Sequence, residues 1–110
     1  MSKPITYWTD IPAVQSLCQV YGDRWSEMPI HERTAVMTAI SACINTAVIQ
    51  GSSLPLDEMV NQLLGDIAVS HRNFYPLLSQ LDKELDALQD ELYLVAGIAM
   101  STPLKDMEGA

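Results

Sequence analysis

The densest group of side chains that could do chemistry is an acidic cluster in the last third of the chain. Asp82, Asp86 and Asp90 recur four residues apart, and Glu84 and Glu91 accompany them. Four-residue spacing places side chains on one face of a helix, so the cluster could hold a divalent cation or a basic partner. A straight helix face cannot wrap a cation, and the sequence lacks the Asp-x-Asp-x-Asp-Gly pattern of a calcium loop. We therefore predict a solvated acidic face, with a basic partner as the alternative.

The histidines and cysteines carry no catalytic or metal-binding motif. His31 and His71 fall at predicted helix ends, where a histidine needs no functional explanation. Cys18 and Cys43 lie on apolar helix faces, and we interpret them as buried free thiols. The sequence contains no glycine-rich phosphate loop, no Gly-x-Ser-x-Gly and no Glu-x-x-His pair. We predict a protein that is not an enzyme and has no cofactor and no metal.

Length and charge limit the class of partner. The chain has 110 residues and a net charge of −8, which argues against nucleic acid or an anionic membrane as a partner. We expect one helical domain spanning 1–110, with an irregular N-terminal segment at 1–10 and a frayed tail at 102–110. The first residues contain no apolar run typical of a signal peptide, so we expect a cytoplasmic protein.

Hydrophobic periodicity predicts four helices, at 11–21, 29–50, 55–72 and 76–101. The second helix has no charge from residue 34 to residue 50, and such a helix is expected to be wrapped by the others. The expected fold is an all-α four-helix bundle with one short helix. The three long helices should run up-down-up, because their connections are short.

The last predicted helix is apolar on two sides. One side is a heptad seam, which we assign to the internal core: Leu78, Leu81, Leu85, Leu88, Leu92, Val95 and Ala99. The other side would leave a hydrophobic patch exposed, which we assign to a homodimer interface: Tyr93, Leu94, Gly97, Ile98 and Met100. The alternative is that the first helix and the Tyr7-Trp8 segment cover this patch within one chain.

These observations favour a non-catalytic protein that acts through protein–protein interaction, in a regulatory or assembly role. Its expected partners are its own copy, another protein, or both. One alternative is an acidic inhibitor of a basic target, such as an immunity protein or a mimic of nucleic-acid charge. The other is a bundle that binds a small molecule or acts as an enzyme, with a site between helices for which Thr38, Ser41 and Asn45 are the candidates.

Overall fold

The computed structural model describes residues 4–85 and 88–101, and within these ranges the chain is helical with no strand. The elements are a 3₁₀ turn at Ile5–Tyr7 and the helices α1 Pro12–Tyr21, α2 Ile30–Gln50, α3 Leu56–Leu64, α4 Phe74–Glu84 and α5 Leu88–Ser101. The predicted all-α class is confirmed. The predicted frayed tail at 102–110 lies outside the described residues.

The first two helices begin and end where proline and glycine predict. Pro12 is the first residue of α1, and Gly22 ends that helix with φ = 93°. Pro29 precedes α2, and Gly51 ends it in the left-handed conformation with φ = 84°. Proline has the φ that a first helical turn requires, and glycine enters the left-handed region without a steric penalty.

The third helix is shorter than predicted. We expected it to reach residue 72, but it ends at Leu64, and Gly65 has φ = 59°. The chain then turns, and the backbone N–H of Ser70 donates a hydrogen bond to the carboxylate of Glu32 on α2. The prediction was wrong because Gly65 takes a positive φ and ends the helix, as Gly22 and Gly51 do, and the contact between Ser70 and Glu32 holds the chain beyond it in a different direction.

The fourth predicted helix, 76–101, is two helices. α4 ends at Glu84, and Leu85 has non-helical angles of φ = −86° and ψ = 84°. No proline or glycine stands between residues 76 and 96, so no local signal marks this end. The break separates two packing environments, since α4 packs on α1 and α3 whereas α5 packs on α2 and on the 3₁₀ turn.

The elements form a closed ring around one hydrophobic core. Following the contacts, α1 packs on α4, α4 on α3, α3 on α2, α2 on α5, and the 3₁₀ turn joins α5 back to α1. The predicted arrangement of four helices is therefore replaced by a ring of five in the described part of the chain. Its largest fully buried hydrophobic side chains are Trp25, Phe74, Ile5, Leu17, Ile40, Leu78, Leu81, Leu94 and Ile98.

The last turn of α2 is not wrapped by the ring, contrary to expectation. Its first half contributes Ala35, Val36 and Ala39 to the core, whereas residues 47–50 are all exposed. α2 has 21 residues and its neighbour α3 has nine, so α2 extends beyond the packing of α3. Of the helices in residues 4–85 and 88–101, none is both long and apolar enough to span a bilayer.

Candidate interaction face

A buried carboxylate fixes the connection between α3 and α4 onto α2. Glu32 is fully buried, and its two oxygens accept hydrogen bonds of 2.8 Å from the N–H and the hydroxyl of Ser70. The imidazole Nε2 of His31 lies 3.6 Å from the same carboxylate. Sequence reasoning missed this anchor, because nothing adjacent to Ser70 in the chain marks it as the partner of a residue on α2.

Two tyrosines surround this carboxylate. Burial raises the pKa of Tyr21, the nearby Ser70 side chain lowers it in part, and the charge of Glu32 raises it. Burial likewise raises the pKa of Tyr75, and Glu32 adds to that effect. A tyrosine with a raised pKa keeps its proton near neutral pH. Neither phenol is therefore suited to act as a base, and the cluster serves to hold the α3–α4 connection in place.

A second buried charge fixes the connection between α1 and α2. The guanidinium of Arg33 is buried and donates hydrogen bonds to the carbonyl oxygens of Trp25 and Met28, the latter at 3.2 Å. Trp25 has φ = 53°, a left-handed conformation that costs an L-residue about 1–2 kcal/mol. The bond from Arg33 helps to hold Trp25 in this conformation, with its indole buried in the core.

The acidic residues predicted to share one helix face are divided between two helices. Asp82 is exposed on α4, Asp90 is half-buried on α5, and Asp86 falls outside the described residues. A single straight face carrying all three is therefore excluded, because α4 ends between Asp82 and Asp90. The described ranges contain no group of three or more histidine, cysteine or acidic residues that could hold a metal ion.

Two glutamates of this cluster contribute to packing near the α4–α5 junction. Glu84 accepts the backbone N–H of Ala13 at 2.9 Å, so it satisfies one of the free N–H groups at the start of α1. Burial raises the pKa of Glu91, and the negative charge of Asp82 raises it further. Asp82 and Glu91 therefore lie close enough to repel each other.

Of the five residues predicted to form an outward hydrophobic patch, two are exposed and three are buried. Tyr93 and Met100 are exposed, whereas Leu94 and Ile98 are fully buried and belong to the core. Gly97 is buried too, and a Cβ atom placed on it would lie 2.8 Å from Cδ1 of Trp8. The expectation of one outward face is therefore wrong for Leu94, Gly97 and Ile98, and the 3₁₀ segment covers this part of α5.

The predicted heptad seam does not stay on one side of the structure beyond the end of α4 at Glu84. Leu78 and Leu81 on α4 are fully buried, as expected, but Leu92 and Ala99 on α5 are exposed. Val95 is half-buried and packs against the core, so on α5, a separate helix with its own orientation, only part of the predicted seam faces inward.

Most of the exposed hydrophobic side chains lie in two segments of the sequence that carry no charge. The two longest such segments are residues 34–56 and 92–104. Residues 34–50 belong to α2 and residues 92–101 to α5, and these two helices pack against each other. Nine large hydrophobic side chains are exposed in the described part, and six lie in these segments. We call these six the uncharged face: Val48, Ile49, Leu54, Leu92, Tyr93 and Met100.

Cys43 shows that three parts of this face are neighbours. Its thiol donates to the carbonyl oxygen of Leu54 at 3.6 Å. Burial raises the pKa of the Cys43 thiol, and the nearby carboxylates of Asp82 and Glu91 raise it further. Cys43, in the second half of α2, therefore lies near both the connection that follows α2 and the first turn of α5. Both Cys43 and Cys18 are buried free thiols, as predicted.

The polar residues considered for a site between helices do not converge. Thr38, Ser41 and Asn45 are all exposed on α2. Thr38 lines an open groove toward α3, and the other two do not line that groove. Comparisons with protein-family models, with curated proteins and with solved structures found no match to this chain.

Proposed function

We propose that this protein is a non-catalytic interaction protein with an assembly or regulatory role, and that it forms a homodimer through the uncharged face. The observation that supports this proposal is the location of the exposed hydrophobic side chains of the protein. Val48 and Ile49 are 71% and 72% exposed at the end of α2, next to a helix that also exposes large apolar residues. Exposed large apolar side chains on two helices that pack together are the kind of surface from which protein–protein contacts are built.

Charge favours a second copy as the occupant of this face. Each chain carries a net charge of −8, so two copies repel each other wherever acidic surfaces meet. Residues 34–56 and 92–101 contribute no charge, so two copies that meet through them bring fewer carboxylates together than two copies that meet elsewhere. The charge that borders this face most directly in the sequence is Glu91, which precedes Leu92. A two-fold axis would place the same face on both sides of the contact. We also propose a cytoplasmic location, with which two free thiols are compatible.

Sedimentation velocity over a concentration series tests the dimer. The informative variant is Val48→Ser with Ile49→Ser, because it removes two exposed apolar anchors without adding a charge. Burying an aliphatic side chain contributes about 1.5–3 kcal/mol, so we expect the dissociation constant to rise by at least about tenfold. The matched control is Leu63→Ser, an exposed leucine outside the face, and it should dimerise like the wild type.

The outcomes separate the proposal from its alternatives. A wild-type chain that stays monomeric at high micromolar concentration contradicts the homodimer. A wild-type dimer that the Val48→Ser, Ile49→Ser variant leaves unchanged places the contact elsewhere on the surface. Because both substituted residues are already exposed in the monomer, we expect the variant to keep the wild-type unfolding midpoint, and circular dichroism checks this.

A further inference from the structure

A carboxylate borders the uncharged face where α5 begins. Glu91 is half-buried in the first turn of α5 and directly precedes Leu92, a residue of that face. Its charge also acts on the Cys43 thiol of α2, which lies 3.6 Å from the carbonyl oxygen of Leu54, another residue of the face. Glu91 is therefore close to the face from two directions, along α5 and across the contact between α2 and α5.

The groups around Glu91 disfavour its charge. Burial raises the pKa of Glu91, and the charge of Asp82 on α4 raises it further. Asp90 precedes Glu91 on α5 and adds another negative charge. On α2 the titratable group near Glu91 is the Cys43 thiol, whose pKa is raised by burial and then by Asp82 and Glu91. This thiol is uncharged near neutral pH, so it does not compensate the carboxylate.

The cations of the neighbouring elements offset little of this charge. α4 carries Lys83, which is exposed, and solvent screens an exposed charge. α2 carries His31 and Arg33 in its first turn, about 15 Å along the helix from Cys43. The 3₁₀ turn, which also packs on α5, contributes only the phenol of Tyr7 as a titratable group. A proton from solvent is therefore the cation best placed to neutralise Glu91.

Formation of the homodimer changes the surroundings of Glu91. Contact through the uncharged face removes water from this carboxylate, and a two-fold axis brings the acidic border of the second copy toward it. Both effects disfavour a charged carboxylate. We infer that pH controls the homodimer through Glu91, which takes up a proton from solvent when two copies associate and releases it when they separate. This inference rests on the homodimer proposed above.

The direction of the pH dependence follows from this proton uptake. The pKa of Glu91 is already raised in the monomer, and further burial in the dimer raises it again. The dimer therefore binds more protons than two monomers do, and it becomes tighter as pH falls through the dimer-state pKa. The tightening ends below the monomer-state pKa, because Glu91 is then protonated in both states. Both of these pKa values lie above the ordinary value of 4.5.

Sedimentation velocity of the full chain at pH 7.5 and at pH 5.5 tests the inference. One proton per copy allows the dissociation constant to change by up to about a hundredfold per pH unit. We expect the wild-type dissociation constant to fall at least about tenfold from the higher pH to the lower. Glu91→Gln removes the charge and keeps the shape of the side chain. Its dimer should be as tight at pH 7.5 as the wild-type dimer is at pH 5.5, and it should lose the pH dependence.

The matched control is Glu27→Gln, which removes one charge from an exposed glutamate in the connection between α1 and α2. It should behave like the wild type at both pH values, because its carboxylate does not border the face. If Glu27→Gln tightens the dimer at pH 7.5 as much as Glu91→Gln does, the cause is the lower net charge alone and the inference is wrong. Circular dichroism at each pH checks that the wild type and both variants are folded.

The same measurements keep this inference separate from the homodimer itself. A wild-type dimer with equal dissociation constants at the two pH values overturns the role of Glu91 and leaves the homodimer standing. The same holds for a Glu91→Gln dimer that keeps the wild-type pH dependence, since another group would then bind the proton. A chain that is monomeric at high micromolar concentration at both pH values contradicts the homodimer, and with it the inference.

Discussion

Removing the Glu32 carboxylate should destabilise this protein more than removing any exposed acidic side chain. The carboxylate is fully buried and accepts two hydrogen bonds of 2.8 Å from Ser70. A hydrogen bond to a charged group contributes about 1.5–3 kcal/mol. Because Ser70 itself is exposed, water can replace part of this loss. We therefore expect Glu32→Ala to cost about 3–4 kcal/mol, within the about 3–5 kcal/mol typical of a buried charged partner.

Two milder substitutions should give smaller, ordered effects. In Glu32→Gln the amide oxygen can accept the Ser70 N–H and the amide NH₂ can donate to its hydroxyl, so both bonds persist without the charge. Ser70→Ala removes the hydroxyl bond and leaves the backbone bond. We expect each to cost about 1–2 kcal/mol. A domain of this size has a total stability of about 5–15 kcal/mol, so all three effects are measurable.

Urea unfolding followed by circular dichroism measures these free energies. The control is Glu27→Ala, an exposed glutamate whose removal should change stability by less than about 0.5 kcal/mol. The double variant Glu32→Ala, Ser70→Ala should be about 1–2 kcal/mol less destabilised than the sum of its parts, because both remove the same bond. Additive effects, or a Glu32→Ala variant as stable as the control, would refute the anchor.

Three other predictions concern packing, pH and thiol chemistry. Gly97→Leu should cost about 1–3 kcal/mol by overpacking against Trp8, and a urea midpoint equal to that of the wild type would contradict the contact. The raised pKa of Glu91, caused by burial and by Asp82, means that its stabilising contribution is complete below its ordinary pKa of 4.5 and is lost as pH rises through the folded-state value. Glu91→Gln should therefore raise the unfolding midpoint at pH 7, with little effect at pH 4. Burial raises the pKa of Cys43, so at pH 8 a thiol reagent should label it far more slowly in the native chain than in urea, and equal rates would show that the thiol is accessible.

The helix ends that sequence predicts correctly are those that a local residue determines. Pro12, Gly22, Pro29 and Gly51 mark the ends of α1 and α2 through their own backbone preferences, and such preferences operate without tertiary contacts. The buried residues of α1 also follow a local pattern, because Val14, Leu17, Cys18 and Tyr21 are three or four residues apart, which is the spacing of one helix face.

The two ends that the sequence analysis misplaces are accompanied by contacts between distant residues. α3 ends at Gly65, a positive-φ glycine like Gly22 and Gly51, and the chain beyond it turns so that Ser70 reaches Glu32, 38 residues earlier. α4 ends at Glu84, which accepts the N–H of Ala13 at the start of α1. Neither Ser70 nor Ala13 can be recognised as a partner from the residues next to it in the sequence, because each pair forms only when distant elements pack together.

The orientation of α5 shows why the sequence could predict that an apolar surface would be exposed but could not predict which residues would form it. Both sides of this helix are apolar, so hydrophobic periodicity cannot decide which side packs inward. The side of α5 that contains Gly97 packs inward. Gly97 has no side chain, so Trp8 approaches it more closely than a Cβ atom would permit. Leu94 and Ile98 consequently turn inward, and Leu92 and Met100 turn outward. Whichever side had packed, hydrophobic side chains from the uncharged residues 92–101 of α5 would have been left exposed on a helix that packs against α2. The protein contact therefore stays a prediction, and the residues proposed for it change from the five named in the sequence analysis to those of the uncharged face.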